Sequence, residues 1–170
     1  MENQVKTRKY ALQYGLFLGL ASIAFNFMLY TQELHYNQDP MTQLVGLALL
    51  AIFIILGIVA FKKANGSFIS IGQALKTGVG VAVVAAVISG IYGFIFTNFI
   101  EPEFADKMLE IAREQMLQQR PDLSDEQLEA GLNIQRTIMS FLPLVGILMS
   151  ALIGLIISLI TGLIVRKNPE

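Results

Sequence analysis

Four long stretches of the chain carry no charged residue. They contain 23, 22, 24 and 29 residues and lie between Lys9 and Glu33, Asp39 and Lys62, Lys76 and Glu101, and Arg136 and Arg166. A helix needs about 20 apolar residues to cross a hydrocarbon core. Because backbone groups in a bilayer must be hydrogen-bonded within the segment, and none of the stretches alternates like a barrel strand, each is predicted to be a spanning helix. The predicted spans are 10–31, 42–61, 71–99 and 141–165.

The polar segment between the third and fourth spans has a helical pattern of its own. Over residues 103–119, apolar side chains fall on one side of a helix and charged side chains on the other. Pro121 ends this helix, and Ser124 with Gln127 matches a capping box that opens another. We therefore predict an amphipathic helical hairpin over 102–139, outside the membrane on the extracytoplasmic side. The fold class is an all-α polytopic membrane protein with four transmembrane helices.

Pro143 lies near the start of the last span. The fourth charge-free stretch is longer than one crossing requires, and proline lacks the N–H that an interior helical position donates. The pattern predicts a break or kink at Pro143, with the membrane part beginning near Phe141 and Met139 assigned to the hairpin.

The composition agrees with a membrane protein and excludes several kinds of chemistry. The chain is 54% hydrophobic and 15% charged, whereas an ordinary soluble domain carries about 25% charged residues. Its formal net charge of -1 gives no general attraction for nucleic acid. There is no Cys and only one His, so thiol catalysis, thiolate metal sites and haem ligation are not predicted. We expect no cofactor and no nucleic-acid partner.

The basic residues predict the orientation of the spans. Eight of the twelve Lys and Arg lie before span one, between spans two and three, or after span four. The segment from Glu101 to Arg136 carries nine acids and four bases. Basic loops stay in the cytoplasm, so both termini are predicted to be cytoplasmic. A cleavable signal is the alternative for span one, because Ser22-Ile23-Ala24 loosely fits a cleavage site, but the apolar run continues to Tyr30.

Small residues recur every four positions in the spans. In a membrane, helices associate through small residues that let their backbones approach closely, so spans three and four are predicted neighbours and span one joins them. The same rows could instead admit a lipid, a substrate or a second copy of the chain. The helix-packing residues are Gly15 and Gly19 in span one, Gly78, Ala82, Ala86 and Gly90 in span three, and Gly146, Ser150, Gly154, Ser158 and Gly162 in span four.

No pattern of residues identifies a reaction. His35 with Glu33 and Asp39 would be a weak divalent-ion site, because three ligands on a short loop are not preorganised. The charge-free stretches offer no ionisable group for coupling an ion to transport. There is no nucleotide-binding loop and no nucleophile with a base. We predict no catalytic, cofactor-binding or metal-binding residue, and no enzyme activity.

Three segments carry a family resemblance that covers nearly the whole chain. Residues 66–76 read GSFISIGQALK, residues 98–104 read NFIEPEF and residues 124–129 read SDEQLE. These resemble the bacterial family called domain of unknown function 4199. The resemblance implies a small four-span protein of the Gram-negative inner membrane and transfers no catalytic residue. In that family Ser-Pro often opens the final span, whereas here Ser140 and Pro143 are separated.

Together these observations predict an integral inner-membrane protein that is a non-enzymatic scaffold or accessory subunit. Its predicted partners are the lipid bilayer and a protein that binds the outer hairpin. The alternative is a small transporter or channel subunit that acts as a homo-oligomer through the glycine rows.

Overall fold

A computed structural model of the protein describes residues 5–37 and 39–167, and this part of the chain contains no β-strand. The helices are α1 (Thr7–Thr31), α2 (Pro40–Ala64), α3 (Ile71–Ile95), α4 (Phe104–Gln119) and α5 (Asp125–Val165), with a π-helical turn at Phe96–Ile100 after α3.

The membrane prediction is confirmed at the level of the helices. The candidate spans are α1, α2, α3 with its π-helical extension, and α5, each long and apolar enough to cross a bilayer. The protein is therefore an all-α, multi-pass membrane protein. The predicted cytoplasmic termini lie outside the described residues.

Helix starts are fixed by side chains that satisfy free backbone N–H groups. Asp39 accepts a hydrogen bond from the Met41 N–H (3.2 Å) at the start of α2. A capping box begins α3: the Ser70 N–H donates to Gln73 Oε1 (2.9 Å), and the Gln73 N–H donates to Ser70 Oγ (3.2 Å). Ser124 and Gln127 form the same reciprocal pair before α5.

The connection between α2 and α3 is a tight, ordered turn. Gly66 and Ser67 both have positive φ angles, 66° and 68°, and Asn65 Nδ2 donates to the Phe68 carbonyl (3.0 Å). The next residue, Ile69, exchanges two backbone hydrogen bonds with Lys167, at 3.0 and 3.2 Å. This antiparallel bridge ties the turn to the chain that leaves α5.

The described chain divides into two compact units, one of Met1–Gly90 with Gly146–Glu170 and one of Ile91–Val145. In the first unit the buried apolar side chains come from α1, α2, the turn and α3: Leu18, Ile54, Ile58, Phe61, Ile69, Ala74, Val81, Ala82 and Ala85. Most of them lie towards one end of the unit, where α1 begins and α2 ends. There the rings of Tyr10 and Phe61 meet edge to face, 5.8 Å apart.

The second unit contains the end of α3, the π-helical turn, α4 and the first part of α5. The Phe96 ring lies 5.9 Å from Tyr92 and 5.7 Å from Phe104. Leu128 of α5 is buried. A methyl group placed on Gly131 would lie 3.1 Å from the sulfur of Met116, so α4 and α5 are in contact there.

The predicted break at Pro143 is not present. The second helix of the predicted hairpin and the fourth span form one helix of 41 residues, with Pro143 inside it. A proline removes one hydrogen bond, here the one to the carbonyl four residues earlier. The residues around Pro143 are mostly apolar, and backbone groups in an apolar environment must be hydrogen-bonded within the segment, so the helix continues through it.

Replacing Phe61 with Ala will test the position of the core. Phe61 is fully buried and Phe99 is 75% exposed. We expect Phe61→Ala to lower the free energy of unfolding by about 3 kcal/mol or more, because it leaves a cavity. Phe99→Ala, the matched control, is expected to change it by less than about 0.5 kcal/mol. Thermal denaturation in detergent measures both, and equal losses would place the core elsewhere.

Candidate functional site

The contact between α3 and α5 brings together six small residues in antiparallel order. A methyl group placed on Gly162 would lie 2.9 Å from Ala74 Cβ, and one on Gly154 would lie 2.7 Å from Ala82 Cβ. Between these pairs, a methyl group on Gly78 would overlap Ser158 Oγ. The pairs are spaced by four residues on each helix, so one row of small residues on α3 lies against one row on α5.

The same register leads next to the pairs Ala86 with Ser150 and Gly90 with Gly146. Methyl groups placed on Gly90 or Gly146 would meet no atom within 4 Å. The close contact therefore includes Gly78, Ala82, Gly154, Ser158 and Gly162, whereas Gly90 and Gly146 lie in open space. Ala86 and Ser150 are half-buried.

Span one meets α3 through the two glycines of its predicted row. A methyl group on Gly15 would lie 2.6 Å from Val84 Cβ, and one on Gly19 would lie 2.8 Å from Ile88 Cγ2. A further contact pairs Gly80 of α3 with Ala11 of α1, since a methyl group on Gly80 would lie 2.7 Å from the Ala11 Cβ. The four-residue rows did not include this pair. The signal available in the sequence was Gly80 itself, two residues after Gly78.

The remaining helix, α2, approaches through Gly57. A methyl group placed there would lie 3.2 Å from Val81 Cγ2 and 3.3 Å from Tyr14 Cβ. Ile54 of α2 also lies beside Gly78, since a methyl group placed on Gly78 would lie 2.9 Å from Ile54 Cγ2. One stretch of α3, residues 77–82, thus contacts α1, α2 and α5.

The buried polar side chains of the described residues are three hydroxyls: Thr77, Ser158 and Thr161. Thr77 Oγ1 donates to the Gln73 carbonyl (2.8 Å), and Ser158 Oγ donates to the Gly154 carbonyl. The hydroxyl protons of Thr77 and Ser158 are therefore each bonded to a carbonyl four residues earlier on the same helix.

The His35 ring, where the sequence predicts no metal-binding residue, has aromatic neighbours. The His35 ring lies 4.0 Å from the Tyr36 ring and 5.2 Å from the Tyr30 ring, measured between centroids. Within residues 5–37 and 39–167, no group of three His, Cys, Asp or Glu residues is placed to hold a metal ion. His35, Glu33 and Asp39 are therefore not brought together as ligands.

Adding one methyl group at Gly78 will test the close contact between α3 and α5. Gly78→Ala is expected to lower the free energy of unfolding by about 1–3 kcal/mol, because Ser158 and Ile54 occupy the space. Gly90→Ala, the control in open space, should leave it unchanged or raise it by up to about 1 kcal/mol through helix propensity. Thermal unfolding in detergent compares them.

The compensating double variant Gly78→Ala/Ser158→Gly moves the side-chain bulk from α5 to α3. It should recover part of the loss measured for Gly78→Ala, because the two positions share one space. The close contact between α3 and α5 would be contradicted if the double variant recovered no stability and Gly90→Ala lowered the free energy of unfolding as much as Gly78→Ala.

Comparison with known proteins identifies a family. A family model described as protein of unknown function (DUF4199) matches residues 13–167, which include most of α1 and all of α2, α3, α4 and α5. No curated protein and no solved structure matches the chain. Since the matched region covers nearly the whole sequence, as the resemblance at residues 66–76 implied, the chain belongs to the DUF4199 family of proteins of unknown function.

Proposed function

We propose that this protein is a non-enzymatic scaffold or accessory subunit of the bacterial inner membrane, and that it binds a partner protein through α4 and the start of α5. The observation that carries the proposal is the surface of α4. Its charged side chains are exposed, whereas most side chains of its apolar face are half-buried. The apolar face therefore stabilises the fold, and the charged face is available to a partner.

The charge of this surface indicates what kind of partner fits. Asp106, Glu110 and Glu114 are exposed on α4, and Asp125, Glu126 and Glu129 are exposed on the first turns of α5. Four bases accompany the nine acids of this segment. A surface of this composition repels anionic headgroups and attracts a basic protein surface.

The charge asymmetry also supports an orientation. Eight Lys and Arg lie around the start of α1, the end of α2, the start of α3 and the end of α5, while the α4 segment is acidic. By the positive-inside rule, α4 and the start of α5 lie on the extracytoplasmic side, and the two termini lie in the cytoplasm.

A non-enzymatic role is supported by the chemistry of the buried groups. The buried polar side chains in the described part of the chain are hydroxyls. Those of Thr77 and Ser158 donate to carbonyls of their own helices. Catalysis needs a titratable group or a nucleophile with a base in a protected place, and helix packing accounts for these hydroxyls.

Cysteine labelling will test the orientation. The natural chain has no Cys, so single substitutions report one site each. Gln118→Cys lies on an exposed part of α4, and Ala64→Cys lies on an exposed position at the end of α2. A membrane-impermeant maleimide should label Gln118→Cys in intact spheroplasts and Ala64→Cys only after lysis. The reverse result would invert the topology, and labelling of both in intact cells would contradict the four-span arrangement.

Site-specific photocrosslinking will test the partner-binding role. A photoreactive amino acid at exposed Glu114 should give one discrete, stoichiometric adduct with a second protein in native membranes. The same group at Ile160, which is 55% exposed on α5, serves as the control and should give no protein adduct. Glu110→Lys should reduce the Glu114 adduct, because it reverses a charge one turn away. No adduct at Glu114, or equal adducts at both positions, would contradict the proposal.

A second candidate function is a transporter or channel subunit that works as a homo-oligomer. It is favoured by the open space at Gly46, Gly90 and Gly146, where another helix can approach closely without meeting a side chain of the same chain. An adduct of twice the protomer mass in the crosslinking experiment, together with solute flux from purified protein in liposomes, would support this function over the scaffold.

A further inference from the structure

One end of the first unit carries a concentrated positive charge. We call it the basic end; it is formed by residues 5–9, 61–76 and 165–167. These described segments contain no Asp or Glu. Every basic side chain here is exposed except that of Lys62, which is half-buried. The basic residues are Lys6, Arg8, Lys9, Lys62, Lys63, Lys76, Arg166 and Lys167.

Contacts within the unit hold these segments together. Tyr10 at the start of α1 packs edge to face on Phe61 at the end of α2. Ile69 in the turn is buried and bonded to Lys167 through both backbone groups. At the start of α3, a methyl group on Gly162 of α5 would lie 3.9 Å from Ile71 Cα. The basic side chains therefore lie on one packed surface.

The charges of the basic end are not neutralised by described carboxylates. The ion pairs within residues 5–37 and 39–167 are those of Lys107 with Glu101 and Glu103, in the other unit. Lys167 has a different partner: its Nζ lies 5.8 Å from the centroid of the Phe68 ring. That contact and the backbone bridge fix the position of Lys167 while leaving its ammonium group able to donate hydrogen bonds.

The surface next to the basic end is apolar and exposed. On α5, Leu163 is 59% exposed and Ile164 is 77% exposed, directly before Arg166 and Lys167. On α2, Val59 is 44% exposed, one turn before Lys62 and Lys63. A molecule that carries a negative headgroup above an acyl chain matches both surfaces at once. A soluble acidic protein or a nucleic acid matches the charges alone.

We propose that the basic end is a docking surface for anionic phospholipid, with the headgroup phosphate on Lys63, Arg166 and Lys167 and the acyl chains along Leu163 and Ile164. Clusters of Lys and Arg at the ends of spanning helices attract anionic lipid, and each basic residue adds to the affinity. Arginine binds a phosphate with two parallel hydrogen bonds, and lysine contributes a compact charge. This surface is separate from α4, so the proposal does not depend on the scaffold role.

The test compares lipid retention by two triple variants of the full chain. The first is Lys63→Gln/Arg166→Gln/Lys167→Gln, which leaves the backbone bridge at Ile69 possible because the bonds are backbone to backbone. The control is Arg113→Gln/Arg120→Gln/Arg136→Gln, which removes the same charge from three exposed positions, on α4, directly after α4 and on α5. Native mass spectrometry then counts bound phosphatidylglycerol and phosphatidylcholine of identical acyl chains, supplied in equal amounts.

We expect the natural chain and the control to retain mainly phosphatidylglycerol, and the first variant to lose that preference about tenfold. Equal binding of the two lipids by the natural chain, or an equal loss in both variants, would overturn the proposal. So would a second copy of the chain, rather than lipid, bound through this end. If the first variant does not fold, the natural chain alone tests the proposal. Its preference for phosphatidylglycerol over phosphatidylcholine must fall as the salt concentration rises from about 0.05 to about 0.5 M, because added ions screen the charges.

Discussion

The close approach of α3 to three neighbours is the constraint on which the first unit depends. Within residues 77–82, Gly78 meets Ser158 of α5 and Ile54 of α2, while Gly80 meets Ala11 of α1. Lipid tails solvate an apolar side chain as well as another helix does, so burial of apolar area supplies little association energy in a bilayer. Dispersion contacts between closely packed atoms replace it, and they require short distances between helix backbones. Glycine and alanine at the crossing make those distances possible.

This constraint also explains where the core lies. Between α3 and α5, methyl groups placed on Gly78, Gly154 and Gly162 would meet atoms of the other helix, whereas ones placed on Gly90 and Gly146 would meet no atom within 4 Å. The contact between α3 and α5 is therefore tight at the end of the unit that holds Phe61, Ile58 and Ala74, while α1 stays close to α3 as far as Gly19 and Ile88. The Ile69–Lys167 bridge lies at that same end, where it closes the unit with two backbone hydrogen bonds. Helix packing and loop pairing support each other there.

The sequence predicted the helices well because their signal is local. A charge-free run such as that between Asp39 and Lys62 specifies a spanning helix by its length and composition, and Ser70 with Gln73 specifies a helix start through four neighbouring residues. The contact between α3 and α5 could be expected for the same reason, since a four-residue spacing of Gly78 and Ala82 places both on one face.

How far a contact extends is not a local property. The repeat runs on to Gly90 and Gly146, but the separation of the two helices there depends on their crossing angle and on every other contact they make. The pairing of Gly80 with Ala11 was missed because a single glycine has no repeat to mark its face. Of the break or kink predicted at Pro143, the break is wrong, because one lost hydrogen bond is outweighed by the helix on both sides.

The distribution of charge follows from the position of the core. Segments that bring α1, α2, α3 and α5 together must end at nearly the same level, so the basic residues that flank each span are collected into one surface when the spans pack there. Like charges brought together repel, and the described carboxylates do not offset them. The packing of Ile69, Phe61 and Gly162 must therefore be strong enough to hold the segments against that repulsion, or a negative partner must reduce it. An anionic headgroup would do so at the place where Leu163 and Ile164 are exposed.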